Sequence, residues 1–232
     1  MRAEAEFDAF AETYQQTLDR AIAASGEDGC YFAGARVDWL RSLLEAESCD
    51  CRSILDFGCG TGMGVTSLAE RFQSARITGI DVSSASLAIA ARRHPDSTIR
   101  FEHAADFQPH ADQDLVYSSG VLHHIDPCER AHWLAVIAQA LRPGGVCAIW
   151  ENNPWSLPAR YCMRVNPFDQ QASMVSARNV RKLCREAGLQ VFLTRYAFIF
   201  PRWLAALRPF EQSMARFPLG AQYVVLSRAV AM

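Results

Sequence analysis

The sequence predicts an α/β protein with a doubly wound, mostly parallel sheet of seven strands. Between residues 53 and 229, short apolar runs bounded by turn residues alternate with segments of helical spacing, which is typical of a parallel sheet covered by helices on both faces. The length of 232 residues fits one such domain. Half of the residues are hydrophobic and 21% are charged, as in a globular protein.

Residues 52–64 predict the first strand, a tight turn and the start of a helix. A short apolar run ends at Asp56, and four glycines then stand at alternate positions: Gly58, Gly60, Gly62 and Gly64. Glycine permits positive φ and lets a ligand approach the backbone closely, and the helix start behind the turn offers free N–H groups. We therefore expect a polar ligand to lie against this turn.

The spacing of these glycines separates two cofactor hypotheses. The dinucleotide fingerprint G-x-G-x-x-G fails because Met63 stands where the third glycine belongs. The heptapeptide Asp56-Phe57-Gly58-Cys59-Gly60-Thr61-Gly62 instead resembles the acid-x-G-x-G-x-G signature of class I, Rossmann-like S-adenosylmethionine-dependent methyltransferases. The resemblance implies S-adenosylmethionine as cofactor, S-adenosylhomocysteine as product, and a C-terminal strand that is antiparallel.

The same resemblance implies roles for the residues of the turn. In the family, the acid at Asp56 helps to hold the methionine amino group. The glycine backbone packs along the methionine and the ribose, which assigns cofactor contacts to Gly58, Cys59, Gly60 and Gly62. An ordinary glycine-rich turn between a strand and a helix is the alternative.

Residues 75–81 predict the second strand, which ends in Asp81. At the carboxyl end of the strand beside the first, an acid can accept both ribose hydroxyls in a bidentate hydrogen bond. A helix cap is the alternative role for Asp81. Val82, the next residue, is placed to touch the adenine face.

A helix over 84–93 leads to a third strand over 98–102. In the family, the loop after this strand supplies an acid to the adenine amino group and an apolar neighbour to the adenine ring. Asp106 and Phe107 match both features. Aspartate is also a common turn former, which is the alternative.

Residues 114–125 predict the fourth strand and the loop after it. They resemble the family segment D-x-V-x-x-x-x-x-L-H-H, where the chain passes beneath the departing methyl group, and this places Ser118 at the cofactor. Enzymes that methylate amino groups of DNA bases carry Asn/Asp-Pro-Pro-aromatic at this strand end, and residues 118–121 do not match it. A nucleic-acid acceptor is therefore disfavoured.

The adjacent His123 and His124 are the candidate catalytic residues. A neutral imidazole is a natural general base for an acceptor that loses a proton, and we favour His123 slightly. Because neighbouring side chains point in different directions, we expect at most one of the two to face the pocket. For the same reason the pair alone predicts no metal site. Packing around the start of the next helix is the alternative.

Residues 1–48 predict a helical cap, with helices over 4–24 and 37–44. Helices before the first strand lie over the site in the family, and there Tyr14 or Tyr31 would face the cofactor or the substrate. Core packing is the alternative for both tyrosines.

A helix over 127–141 ends in Leu-Arg-Pro-Gly-Gly, a further family hallmark, before a fifth strand over 146–150. Ligands collect at the carboxyl ends of such strands. The polar and aromatic residues that leave this end are candidate substrate contacts, with a polar turn as the alternative: Asn152, Asn153 and Trp155.

Residues 151–175 show no clean period and predict an inserted lid. A helix over 176–187 and strands over 189–196 and 221–229 complete the sheet. The apolar and basic segment 198–210 could cover the pocket, form a dimer face or lie on lipid. The oligomeric state is left open between monomer and homodimer.

The remaining composition narrows the partners. Lys plus Arg number 23 against 25 for Asp plus Glu, so no overall cationic field points to nucleic acid. Eight scattered cysteines predict reduced thiols, and Cys49-x-Cys51 lacks zinc-finger spacing, so no metal is predicted. The first residues show no apolar signal core and no stretch is long enough to span a membrane, which predicts a cytoplasmic protein with peripheral lipid contact left open.

These patterns predict one methyltransferase domain over 1–232, with the cofactor-binding core at 52–150, the lid at 151–175 and the C-terminal part of the sheet at 176–232. The acceptor is predicted to be a small molecule, with O-methylation slightly favoured over N-, C- or S-methylation because a histidine base is available. A scaffold that binds S-adenosylmethionine without methyl transfer is the main alternative. A nicotinamide-dependent oxidoreductase is the less favoured one.

Overall fold

The structure is a computed structural model that describes residues 8–47, 49–96 and 98–230. The strands are β1 (Ser53–Phe57), β2 (Arg76–Asp81), β3 (Ile99–His103), β4 (Gln113–Ser119), β5 (Leu141–Asn152), β6 (Leu189–Ala197) and β7 (Gln222–Ala229). The α-helices are α1 (Tyr14–Ile22), α2 (Gly29–Ala46), α3 (Met63–Arg71), α4 (Ser84–Arg93), α5 (Arg130–Ala140), α6 (Leu157–Val165), α7 (Ala177–Glu186) and α8 (Glu211–Met214). Short 3-10 segments cover Ala23–Ser25, Pro167–Asp169 and Arg202–Phe210.

The strands of the described residues form one sheet in the order β3-β2-β1-β4-β5-β7-β6. The pairs from β3 to β5 are parallel, and β7 runs antiparallel to both β5 and β6. The predicted seven-stranded sheet with an antiparallel C-terminal strand is confirmed. The strand order reverses between β1 and β4, so the loops that leave these two strands diverge and open a crevice.

Helices cover both faces of the sheet because its central strands are buried on both sides. All five residues of β1 are buried. Along β5, Ala148 and Trp150 pack with Leu40 of α2 and other residues on one face. Cys147 and Ile149 join the core of the other face, which also contains Leu134 and Ile137 of α5 and Val180 of α7. The two hydrophobic cores fix the sheet in place under the crevice.

Several elements differ from the predicted bounds. Helix α2 begins at Gly29 rather than residue 37, because the Asp28 side chain caps it by accepting the Tyr31 N–H at 2.7 Å. Helix α1 begins at Tyr14, and part of the predicted helix over 4–24 lies outside the described residues. Strand β5 begins at Leu141, which pairs with Gln113 of β4. The predicted turn over 141–145 is therefore part of an irregular strand, with Gly144 at a φ of 81°.

The apolar segment 198–210 packs on the N-terminal helices. Arg208 forms an ion pair with Glu27 at 2.8 Å, and its guanidinium lies 4.8 Å from the centre of the Tyr31 ring. Arg202 donates a hydrogen bond to the Gly26 carbonyl at 3.3 Å. These contacts hold the segment against the turn between α1 and α2. In the described ranges, no helix has the length and apolar character needed to cross a membrane.

Glu211 fixes the start of this segment and generates a stability prediction. Its buried carboxylate accepts three backbone N–H groups, those of Phe198 at 3.1 Å, Ile199 at 3.1 Å and Phe200 at 2.9 Å. A donor left unsatisfied in the interior costs about 1–3 kcal/mol. We expect Glu211→Ala to lower the melting temperature by roughly 4–8 °C, measured by thermal unfolding. Gln212→Ala, at the exposed neighbour, is the matched control, and an equal loss in both variants would contradict this role.

Candidate active site

A cavity of about 900 Å³ opens at the carboxyl ends of β1, β4 and β5. The glycine turn, helices α1, α2 and α6, and the segment 198–210 enclose it. The predicted site residues that line it are Tyr14, Tyr31, Asp56, Gly58, Cys59, Gly60, His123, His124, Asn152 and Trp155. The predicted residues outside its lining are Gly62, Asp81, Val82, Asp106, Phe107, Ser118 and Asn153.

The glycines of the turn differ in what they face. Gly58, Gly60 and Gly62 all have positive φ, at 76°, 51° and 81°. A Cβ on Gly58 would come within 2.4 Å of Val121, so this glycine is required by packing. A Cβ on Gly60 would meet no atom of the described residues within 4 Å. The backbone at Gly60 is therefore open to a ligand.

Asp81 holds the turn against the end of β2. One carboxylate oxygen accepts the Gly60 N–H at 2.8 Å, and the other accepts the Ser83 N–H at 2.9 Å. Burial raises the pKa of Asp81, and these backbone hydrogen bonds oppose the shift. Each carboxylate oxygen keeps a second lone pair. Asp81 can therefore accept ribose hydroxyls while it fixes the turn.

Asp56 is buried at the end of β1 and lines the cavity. Burial, together with the nearby Asp81 carboxylate, raises the pKa of Asp56 to about 8. A cation beside a buried carboxyl reverses such a shift because it favours the charged form. The open backbone at Gly60 and this acid together fit the amino-acid end of S-adenosylmethionine.

Arg36 of α2 is a cavity residue that the sequence analysis missed. Its Nε donates to the Gln222 side chain at 2.8 Å. Burial raises the pKa of the Tyr117 hydroxyl. Arg36 lowers this pKa and Asp56 raises it, so both residues lie close enough to Tyr117 to influence it. The cavity thus places a cation and an acid near the glycine turn. Nothing in the local pattern of α2 distinguishes Arg36 from an exposed helical arginine.

Four side chains form an imidazole–carboxylate cluster: His123, His124, Glu151 and Asp169. His123 Nδ1 lies 2.6 Å from Glu151 Oε2, and Glu151 Oε1 accepts the Leu122 N–H at 2.7 Å. Asp169 Oδ1 lies 3.5 Å from His123 Nε2 and 3.2 Å from His124 Nε2. The cluster joins the loop after β4, the end of β5 and the predicted lid.

The carboxylates set the charge of this cluster. Burial disfavours the charged imidazole of His123, but Glu151 and Asp169 outweigh it and raise the pKa of His123 to about 10. Burial lowers the pKa of His124, against the effect of Asp169. Burial raises the pKa of Asp169, but its hydrogen bonds to both histidines outweigh this and lower it to about 2. This charge state weighs against His123 as a general base at neutral pH, although the assignment itself remains a prediction.

The structure corrects one expectation about the histidines. Both His123 and His124 line the cavity, and their ring centres lie only 4.2 Å apart. The physical reason is the tight turn after β4, in which the His124 N–H donates to the Val121 carbonyl at 3.0 Å. Asp169, approaching from the lid, then contacts both rings. Adjacent residues in this turn therefore face the same space.

The predicted substrate contacts have different surroundings. Tyr14 stacks on Phe168 with ring centres 4.8 Å apart, and Asn152 accepts a hydrogen bond from Gln222 at 3.0 Å. The Trp155 side chain is 75% exposed at the cavity mouth. Asn153 is fully buried, and its amide nitrogen donates to the Pro218 and Gly220 carbonyls. Asn153 is therefore a structural residue here and not a cavity contact.

The residues predicted for the adenine side, and Ser118, do not line the cavity. The Val82 carbonyl contacts His103 Nε2 at 2.9 Å, and Asp106 is exposed in the turn after β3. The Ser118 hydroxyl is buried in β4 without a hydrogen-bond partner among the described residues. The cofactor roles of these residues, and of Phe107, remain predictions.

Sequence reasoning also missed Glu151 and Asp169. Glu151 follows the apolar run of β5 and directly precedes Asn152, so its position at a strand end was a usable signal. Asp169 lies in the predicted lid, where no motif or period marks it. Its approach to the histidines depends on the path of α6 and the 3-10 segment Pro167–Asp169.

The raised pKa of Asp56 generates a pH prediction. Its folded pKa of about 8 exceeds that of an unfolded aspartate. The contribution of Asp56 to wild-type stability therefore falls as pH rises from about 4 to 8, whereas an asparagine at position 56 does not titrate. We therefore expect Asp56→Asn to raise the melting temperature of the ligand-free protein more at pH 8 than at pH 5. The difference between the two pH values should be at least roughly 2–4 °C, which corresponds to about 1 kcal/mol in the free energy of unfolding. Asp112→Asn, at an exposed position, is the control, and a pH-independent difference for Asp56→Asn would contradict the shift.

Comparison with known proteins agrees with this geometry. A family model described as a methyltransferase domain matches residues 54–145. The trans-aconitate 2-methyltransferase of Azoarcus sp. (strain BH72) is 29% identical over 173 residues, which cover 74% of this chain and 68% of that protein. This identity is moderate, and trans-aconitate is the acceptor named for that relative and not for this chain.

Solved structures share the fold. A chain from the complex between the Haloferax volcanii Trm112 methyltransferase activator and a putative methyltransferase aligns with a TM-score of 0.67 at 19% identity, covering 97% of this chain and 98% of that one. A putative sarcosine dimethylglycine methyltransferase from Galdieria sulphuraria aligns with a TM-score of 0.64 at 16% identity, covering 89% and 90%. At such identities these likenesses show the fold alone.

The predicted fold, cofactor and enzyme class are confirmed by these matches together, which favour neither a nicotinamide cofactor nor a scaffold without activity. The glycine turn and Asp56 lie inside the matched residues 54–145. Residues 54–145 match a methyltransferase domain, and the chain is an S-adenosylmethionine-dependent methyltransferase that uses S-adenosylmethionine as its methyl donor.

Proposed function

We propose that the enzyme transfers the methyl group of S-adenosylmethionine to an oxygen atom of a small-molecule acceptor. The observation that carries the proposal is a continuous cavity of about 900 Å³ that runs from Asp56 and the glycine turn to the imidazole–carboxylate cluster. Ligand pockets commonly measure about 300–1,000 Å³. The cavity thus offers room for the reactive end of the cofactor and for a small acceptor beside it.

The residues around the glycine turn fit the parts of the cofactor. Asp56 and Arg36 offer an acid and a cation to the amino and carboxylate groups of its amino-acid end. Asp81 offers its carboxylate to the ribose hydroxyls, and the backbone at Gly60 leaves space beside them. When bound, S-adenosylmethionine supplies an electrophilic methyl group on a sulfonium sulfur.

Val82, Asp106 and Phe107 remain the proposed adenine contacts at the rim. Ser118 remains a proposed cofactor contact beneath the methyl group. All four follow or end strands that lead to the crevice at the carboxyl edge of the sheet.

The other end of the cavity is proposed to hold the acceptor. Its polar groups are those of the imidazole–carboxylate cluster, and its flat apolar faces come from Tyr14, Tyr31 and Trp155. Orientation of the acceptor toward the methyl group can supply most of the acceleration in such a displacement. Two observations favour O-methylation over N-, C- or S-methylation. The polar side chains of the cluster can position an oxygen atom, and a relative is named as a methyltransferase of trans-aconitate.

A second candidate is an acceptor that carries a long apolar tail. Three exposed side chains line the mouth of the cavity: Trp155 at 75% exposure, Leu157 at 73% and Trp203 at 75%. Exposed apolar surface around a pocket marks a contact with an apolar partner. The tail would lie across these side chains while the reacting oxygen enters the cavity.

The first experiment is calorimetric titration with S-adenosylhomocysteine, with NADH as the control ligand. Micromolar binding of S-adenosylhomocysteine alone is expected. Labelled S-adenosylmethionine is then incubated with a panel of carboxylic acids, including trans-aconitate, with phenols and amines, and with versions that carry alkyl tails. Methyl esters or ethers among the products support the proposal. Turnover of amines alone would overturn the oxygen assignment.

Two ligands separate the proposed roles of Arg36 and Asp81. Arg36→Met removes the partner of the amino-acid carboxylate, so we expect it to weaken S-adenosylhomocysteine binding by about tenfold or more. Binding of 5′-methylthioadenosine, which lacks that amino-acid carboxylate, should stay within about twofold of wild type. Asp81→Ala should weaken both ligands by about tenfold or more, because both carry the ribose hydroxyls.

Calorimetry measures both ligands, and the melting temperature of each variant reports folding. If Arg36→Met weakens both ligands equally, Arg36 acts on the shape of the turn and not on the amino-acid end. If Asp81→Ala leaves both affinities unchanged, the ribose assignment fails.

A further inference from the structure

We propose that His123, His124 and Asp169 form a binding site for a divalent transition-metal ion, with a coordination position open to the cavity. All three side chains line the cavity. One atom of each, a ring nitrogen of either histidine and a carboxylate oxygen, lies within 4.8 Å of the others. The site goes beyond the proposed methyl transfer.

The spacing of the ligand atoms matches the edges of a coordination tetrahedron. Zinc binds imidazole nitrogen and carboxylate oxygen at about 2.0–2.1 Å, which gives ligand–ligand edges of about 3.3–3.4 Å. Asp169 Oδ1 lies 3.5 Å from His123 Nε2 and 3.2 Å from His124 Nε2. Two of the three edges between the protein ligands therefore already have nearly the length that zinc requires. The ligand nitrogens of the two histidines lie within 4.8 Å of each other, which completes the three-ligand cluster.

Glu151 supplies the support that metal-bound histidines usually have. Its Oε2 lies 2.6 Å from His123 Nδ1, and its Oε1 accepts the Leu122 N–H. With Nδ1 committed to this carboxylate, the lone pair of a neutral His123 lies on Nε2, the atom that faces Asp169. A carboxylate behind a histidine ligand in this way fixes the ring and strengthens the metal bond.

Asn166 provides an independent observation. Its amide nitrogen donates to Asp169 Oδ2 at 2.8 Å, which leaves Oδ1 for an ion. Asn166 is 2% exposed and lines the cavity, and its amide oxygen has no hydrogen-bond partner among the described residues. A metal-bound water would satisfy a buried acceptor of this kind. Next to Asp169, the cavity wall thus carries a buried polar atom without a partner among the described residues.

The donor set indicates the kind of metal. Two imidazoles and one carboxylate suit Zn²⁺, Co²⁺, Ni²⁺ or Fe²⁺, whereas Mg²⁺ and Ca²⁺ prefer all-oxygen sites. Three protein ligands with an open position are the pattern of a site that also binds a small molecule. The sequence predicted no metal because adjacent histidines alone cannot form a site. The third ligand, Asp169, comes from the lid.

The open position has a consequence that rests on the proposed function. An acceptor oxygen that enters the cavity could occupy that position, and the ion would then hold it at a fixed place relative to the methyl donor. Binding of the ion itself does not depend on this consequence.

Cobalt titration of the untagged full chain, stripped with a chelator, tests the site. We expect one Co²⁺ per chain with a Kd below about 10 µM, and visible absorption bands of a four- or five-coordinate ion without a thiolate charge-transfer band. Zn²⁺ should displace Co²⁺. Asp169→Asn and His124→Gln should each weaken binding by about a hundredfold or more, and Glu151→Gln by about 10- to 100-fold.

His110→Gln, at an exposed histidine away from the cavity, is the matched control and should bind Co²⁺ like the wild type. Calorimetry with S-adenosylhomocysteine shows that each variant is folded. If the wild type binds Co²⁺ no more tightly than about 100 µM, or if Asp169→Asn binds as tightly as the wild type, the proposal is overturned. A thiolate band would also overturn it, because it would place the ion at the cysteines.

The metal proposal and the function proposal fail separately. The labelled-methyl screen is run on chelator-stripped protein and on protein loaded with Zn²⁺. Co²⁺ binding that the variants abolish supports the site, even when no acceptor is methylated. Methyl transfer by the stripped protein, together with absent Co²⁺ binding, overturns the metal site alone.

Discussion

The reversal of strand order between β1 and β4 is the constraint on which the rest of the molecule depends. The connections from these two neighbouring strands lead to opposite faces of the sheet, so no backbone fills the space at their carboxyl ends. The glycine turn lies on one side of that space and the turn of His123 and His124 on the other. Because both strands are buried on both faces, the positions of these two turns are rigidly set by the two hydrophobic cores.

The carboxyl groups inside the crevice have two kinds of surroundings. Glu151 and Asp169 are buried, but both contact imidazoles. These contacts lower the pKa of each carboxyl group and outweigh the effect of burial, which raises it. Asp56 is buried next to another carboxylate, and burial raises its pKa to about 8. An acid kept in this condition costs stability and gains a favourable interaction only when a cation enters. That contrast separates the proposed cofactor end of the cavity from the proposed acceptor end.

The segments that enclose the crevice are held by few but specific contacts. Glu211 ties the start of the segment 198–210 through three backbone N–H groups, and Arg208 links it to Glu27 and Tyr31. Asp169, which accepts a hydrogen bond from Asn166, links the predicted lid to the histidine turn. Much of the wall around the proposed acceptor end, including Tyr14, Tyr31, Trp155 and Asp169, thus lies outside the matched methyltransferase domain at 54–145, whereas His123 and His124 lie inside it.

The sequence by itself determined the sheet and the glycine turn, whereas the tertiary structure decided which distant side chains meet in the cavity. Strands such as β1 and β5 and the glycine turn were readable because apolar period and glycine spacing are local properties of the chain. Asp169, Glu151 and Arg36 were not, since nothing near them in sequence shows which distant side chain they meet. The burial of Asn153 could not be predicted for the same reason, because its partners at Pro218 and Gly220 lie 65 and 67 residues away. Local periodicity specifies which elements form, but contacts between distant segments decide which polar side chains share a cavity.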